Sequence, residues 1–76
     1  MVASKPTLTF AQQLGARIAA ARERAGLTKA ACAKSADIDW RRWNEYETGK
    51  VEPSAGKLYA IAKALGVSAD SLRPRQ

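Results

Sequence analysis

Apolar residues recur along this chain at helical spacing in several short stretches, each bounded by residues that start or stop a helix. In the first, Phe10, Leu14, Ile18, Ala21 and Ala25 share one face, and Gly26 ends the run. Thr9 followed by Gln12 gives that helix a capping-box start. Thr28 caps a second, shorter helix over Lys29–Ser35, whose inward positions are Cys32, Ala33 and Ala36. Side chains this small let another helix approach closely. Asp37, Ile38 and Asp39 form a turn in which Ile38 plugs the core and Asp39 caps the next helix. This third helix runs from Trp40 to about Thr48 and is stopped by Gly49. After a linker of Val51, Glu52 and Pro53, Ser54 caps a fourth helix. Its apolar residues Leu58, Ile61, Ala62 and Leu65 fall on one stripe, and Gly66 ends it. Ser68 caps a last short turn through Leu72, before Pro74. No strand pattern, internal repeat or low-complexity tract interrupts the series. The pattern predicts a compact all-α domain of five helices over residues 9–72. Residues 1–8 would be a flexible N-terminal arm and residues 73–76 a C-terminal tail.

The third helix departs most from a plain amphipathic pattern. At about 100° per residue, Trp43, Tyr46, Glu47 and Asp39 share one side. Arg41, Asn44, Glu45 and Thr48 lie opposite, with Trp40 and Arg42 on the two flanks. The aromatic side must face the core, so the polar side faces outward. A polar helix presented by a packed scaffold, preceded by a short helix and a tight turn, is the layout of a helix-turn-helix. A solvated surface alone would also account for Arg41, Asn44 and Glu45. Trp40 fits two roles: stacking on sugar or touching a thymine methyl, or folding back over the alanine-rich core. Arg41 points straight out of the first turn, suited to guanine O6 and N7, whereas Arg42 on the flank suits a phosphate. Glu45 is placed to orient Arg41 one turn earlier or to accept from cytosine N4; the first is the cheaper role. Glu47, an acid on the inner side, either needs a partner, for which Arg22 late in the first helix is the candidate, or reaches solvent at the helix end, a route that Trp43 and Tyr46 beside it disfavour.

Charge narrows the field. The 76 residues carry a net charge of +6 with a pI near 10.0, which favours an anionic partner. The excess is unevenly spread. Residues 28–52 balance Lys29, Lys34, Arg41, Arg42 and Lys50 against Asp37, Asp39, Glu45, Glu47 and Glu52. The positive potential therefore comes from the flanking segments. There is no histidine, and the single cysteine, Cys32, excludes an intrachain disulfide and any cysteine–histidine metal site or nucleophile pair. With no triad, metal cluster or phosphate loop, the chain reads as no enzyme and needs no cofactor. No apolar run reaches the roughly 20 residues of a membrane span. The start, MVASKPTLT, lacks a secretory core, so a cytoplasmic location is expected.

The residues also match a known pattern. Gly26-Leu27-Thr28-Lys29, Ala33, Ile38, Glu47, Gly49-Lys50, Pro53-Ser54, Leu58 and Ala62-Lys63-Ala64-Leu65-Gly66-Val67, with Asp70 and Leu72, occur in order at the family's spacings. Over about residues 10–72 the chain resembles the lambdoid phage repressor and Cro (Xre-type) family of helix-turn-helix proteins. That resemblance implies a five-helix lambda-repressor-like domain that binds double-stranded operator DNA as a homodimer and regulates transcription, usually as a repressor. It implies base-reading or groove-facing roles for Trp40, Arg41, Asn44 and Glu45. It places Thr28, Lys29, Arg42, Thr48 and Lys50 on the DNA backbone, with Lys29 also orienting a base reader, and it implies a structural ion pair between Arg22 and Glu47. Departures are specific. Asp37 stands where the family has glycine in the turn, Trp43 where an aliphatic residue is usual, and Trp40 and Glu45 where small or amide side chains are common. Operator sequence cannot be borrowed from a relative. The neutral middle segment and Trp40 would equally suit a protein-interaction module of the same fold, such as an antitoxin or adaptor. Dimer contacts are expected from Val51, Glu52, Pro53, Tyr59 and the terminal residues 72–76.

Overall fold

A computed structural model describes residues 8–74, so the arm expected over residues 1–8 and the end of the tail lie almost wholly outside the described residues. Five helices succeed one another: α1 (Phe10–Arg24), α2 (Lys29–Ala36), α3 (Trp40–Thr48), α4 (Ala55–Leu65) and α5 (Ala69–Leu72). Among the described residues there is no strand, and the all-α expectation holds. No helix among them is long and apolar enough to cross a membrane.

Every helix starts on a side chain that accepts from its own first turn. Thr9 and Gln12 make the reciprocal box, at 3.1 Å and 2.9 Å. Thr28, Ser54 and Ser68 accept from Ala31, Lys57 and Ser71, and Asp39 accepts from Arg41 N–H at 2.8 Å. Helix α2 runs one residue further than its sequence suggests. Asp37 takes φ 57°, ψ 46° and closes it, and Ile38 N–H donates to the Ala33 carbonyl at 2.9 Å. Aspartate tolerates this left-handed conformation better than most residues, which is how the turn works without glycine.

The core gathers Leu14, Ile18 and Ala21 of α1, Cys32 and Ala33 of α2, and Ile38 of the turn. It is completed by Trp43 and Tyr46 of α3, the α4 stripe and Leu72. Trp43 is wholly buried, and the small Cys32 and Ala33 are among the buried residues that share the core with it. Ala25, at the end of the α1 stripe, is exposed.

Helix α1 packs chiefly on α3, while α2 packs on α4 and α3. Gly15 makes the first of these contacts possible: a Cβ there would run into the backbone carbonyl oxygens of Tyr46 and Glu47. Gly49 combines two demands, a left-handed φ of 78° and a backbone pressed against Gln12. Of the residues expected at a dimer contact, Pro53, Leu72 and Pro74 are buried within the chain and the half-buried Val51 packs against its core, so they offer a second copy little surface. Glu52, Tyr59 and Arg73 remain exposed.

Candidate nucleic-acid interface

Helix α3 is fixed from behind by a small polar cluster. The Glu47 carboxylate, 5% exposed, accepts from Arg22 Nε at 2.6 Å and Nη2 at 3.3 Å, and from its own helix's Trp43 Nε1 at 2.6 Å. Arg22 Nη1 also donates to the Leu27 carbonyl at 3.0 Å. One guanidinium thus ties the end of α1, the loop into α2, and α3 into one unit. The Glu47 hydrogen bond raises the Arg22 pKa above its ordinary value, against the opposing effect of burial, so the guanidinium stays charged. A buried carboxylate with three donors is satisfied rather than stranded, and no buried side-chain polar atom among the described residues lacks a partner. The Trp43 contribution went unnoticed in the sequence, although its i,i+4 spacing to Glu47 was the available signal.

The opposite side of α3 is open. Trp40 is 59% exposed, which removes the fold-back role and leaves a free indole beside the first turn. Arg41 is exposed, and its guanidinium makes no hydrogen bond or ion pair among the described residues. The expected Arg41–Glu45 pairing is absent. Glu45 instead pairs with Arg42, Nη1 to Oε1 at 3.2 Å, across i,i+3. Residues three apart are also neighbours on a helix, and this choice leaves Arg41 projecting while it damps part of the Arg42 charge.

Lys29, at the first position of α2, reaches across the turn. Its Nζ donates to Asn44 Oδ1 at 2.7 Å. Thr48 Oγ1 donates back to the carbonyls of Asn44 and Glu45, at 3.0 and 3.3 Å. Its lone pairs therefore face outward. Lys50, just past the Gly49 cap, is exposed, as is Thr28 at the N-cap of α2. The structure therefore brings Lys29, Trp40, Arg41, Arg42, Asn44, Glu45 and Thr48 onto and around one helix, with Thr28 and Lys50 at the ends of the two-helix unit. The residue that sequence reasoning missed is Gly15. It carries no chemistry but sets how closely α1 supports α3, and its one signal is a glycine beside Leu14 on the packing face of a helix.

Cys32 is buried and free, and burial pushes its thiol pKa up. It is core.

Comparison with known proteins agrees with this geometry. A family model described as a helix-turn-helix domain matches residues 13–75. No curated protein matches the chain at the level of sequence. Among solved structures, the P22 c2 repressor protein in complex with a synthetic operator is 32% identical. The match covers 82% of this chain and 94% of that one, with a TM-score of 0.75. The clp gene regulator ClgR from C. glutamicum is 26% identical over 87% of this chain and 86% of its own, with a TM-score of 0.83. The restriction-modification controller protein C.AhdI from Aeromonas hydrophila, at 22% identity, covers 82% of this chain and 94% of its own. Its TM-score of 0.80 shows the shared fold. The chain is accordingly not an enzyme. With a helix-turn-helix built from α2, the Asp37 turn and α3, it belongs to the helix-turn-helix domain family, in the lambdoid repressor and Cro group that its residues resemble.

Proposed function

We propose that this chain is a sequence-specific double-stranded DNA-binding transcriptional regulator, acting as a repressor and as a homodimer, with α3 in the major groove. The observation that carries the reading is the division of α3. Its inner side is clamped by Arg22 and Glu47, while Arg41 stands exposed with no partner within the described residues. A rigid helix that holds an unpaired guanidinium outward suits bidentate contact with a base edge. Lys29, Arg42, Thr28, Thr48 and Lys50 lie where they can grip flanking phosphates, and Trp40 can meet a sugar or a thymine methyl. The P22 repressor's operator complex supports the reading, since that protein shares the fold and about a third of its residues with this one.

The homodimer places a second copy against the side of the molecule that carries Tyr59, which is 67% exposed at the edge of a shallow groove between α4 and α5. Paired recognition helices would then meet half-sites one DNA turn apart, about 34 Å.

Binding to a selected duplex, measured by fluorescence anisotropy over a salt series, tests the proposal. With roughly five phosphates neutralised per subunit, log K against log salt should slope at about −4 to −5 per subunit. Equal affinity for selected and random duplexes would overturn sequence-specific regulation. A salt-independent response, with a protein partner retained instead, would favour the interaction-module reading.

A further inference from the structure

The contact between Lys29 and Asn44 has a chemical polarity. An ammonium has three donors and no acceptor, so the Asn44 atom 2.7 Å from Lys29 Nζ must be the amide oxygen. This settles an orientation that an asparagine's own shape leaves ambiguous. The amide nitrogen is then the end left free to meet a ligand. An asparagine that reads adenine uses both ends at once, with Oδ1 accepting from N6 and Nδ2 donating to N7. Here an adenine amino group would have to share Oδ1 with a bound cation whose charge repels it. Guanine offers the reverse: O6 and N7 are both acceptors, matched to the Asn44 amide hydrogens, while the remaining hydrogens of Lys29 stay free for a phosphate.

Arg41 lies on the same side of α3 and is donor-only as well, and the one carboxylate on that side, Glu45, is engaged through Oε1 by Arg42. From this arrangement we infer that Lys29 is a positioning residue that sets the specificity of Asn44, turning it from an adenine reader into a guanine reader. The operator half-site then carries guanine, not adenine, at the base facing Asn44. This inference rests on the DNA-binding role proposed above.

The substitutions that test it differ in hydrogen-bond polarity. Lys29→Arg keeps a donor-only partner. Lys29→Gln offers a group that can accept as well as donate, and Lys29→Met removes the partner altogether. The full chain and each variant are used to select fragments from a random duplex pool, and the affinities are then measured on duplexes changed at single positions. The Asn44 position is identified as the one at which Asn44→Ala loses discrimination. Wild type and Lys29→Arg should prefer guanine over adenine there by roughly tenfold, the scale of one bidentate contact. Lys29→Met and Lys29→Gln should lose or invert that preference at this one position and leave the others unchanged.

A second measurement needs no DNA. In ¹⁵N spectra of the free protein the two Asn44 side-chain amide protons should shift in Lys29→Met and stay near their wild-type positions in Lys29→Arg. Adenine at the Asn44 position in the wild type, or Asn44 resonances indifferent to Lys29→Met, would overturn the inference while leaving DNA binding intact. A pool with no enriched sequence would instead overturn the DNA-binding role, and the inference with it.

Discussion

Glu45 and Glu47 stand two residues apart on α3 and each binds an arginine, but the two pairs sit in different surroundings. The Arg22–Glu47 pair is almost fully enclosed, is joined by Trp43 Nε1, and links separate helices at 2.6 Å. The Arg42–Glu45 pair is half-exposed, spans one turn of a single helix, and is looser at 3.2 Å. Enclosure makes the first a structural fastener, because removing one partner leaves the other without its main counter-charge where little water reaches. Solvent makes the second an adjustable surface feature worth only a few tenths of a kcal/mol. One helix thus has a side that must not change and a side that can, which is what a scaffold presenting different readers to DNA requires.

Substitutions can break this contrast. Glu47→Ala should have the largest effect, costing about 3–5 kcal/mol in urea denaturation by taking from Arg22 its main carboxylate partner, leaving it the Leu27 carbonyl and the exposed Glu23, and by leaving the Trp43 indole unpaired. Replacing both partners, as Arg22→Met with Glu47→Leu, should recover much of that loss; a double variant no better than Glu47→Ala would show that the pair is not the source. Gly15→Ala comes next. Its methyl would push α3 from α1 at the Tyr46 and Glu47 carbonyls, costing about 1–3 kcal/mol although alanine is the better helix former. Unchanged melting would mean that the helices are not held this closely.

On the outer side the readouts separate. Arg41→Ala should leave stability within about 0.5 kcal/mol. It should weaken binding to a selected duplex by about 1–3 kcal/mol and relax one base position. Lys50→Ala should weaken all duplexes alike and lower the salt slope by about one.

The smallest effect concerns Cys32. Burial raises its thiol above the ordinary value of 9.0, so at alkaline pH the unfolded chain loses that proton first and stability falls. The contribution is intact below the ordinary value and disappears as pH climbs through the folded one. Cys32→Ala should flatten this alkaline limb, as a chemical-denaturation series would show.

Much of the fold was legible because each boundary has a local cause. Thr9, Thr28, Asp39, Ser54 and Ser68 are caps in the sequence and in the structure, and Gly49 and Gly66 are stops in both. The inner side of α3 was legible too, since indole and phenol spacing leaves only one face to bury.

The features that escaped were pairwise. Glu45 has arginines three and four residues before it, and helical spacing does not rank the two neighbours. The close approach at Gly15 depends on where another helix's carbonyls lie, which one helix's own residues do not encode. The burial of Pro53 and Leu72, and the partial burial of Val51, come from distant residues and are invisible in a linear pattern.

The central claim is that the outward side of α3 meets DNA. Backbone amide mapping of the free protein titrated with a selected duplex tests it most directly. Perturbations should concentrate at Thr28–Lys29 and from Trp40 through Lys50, leaving the Arg22 end of α1 and the stretch from Ala60 to Leu65 little changed. Perturbations confined to the α4–α5 groove around Tyr59 and Lys63, with Arg41 and Asn44 unmoved, would contradict it.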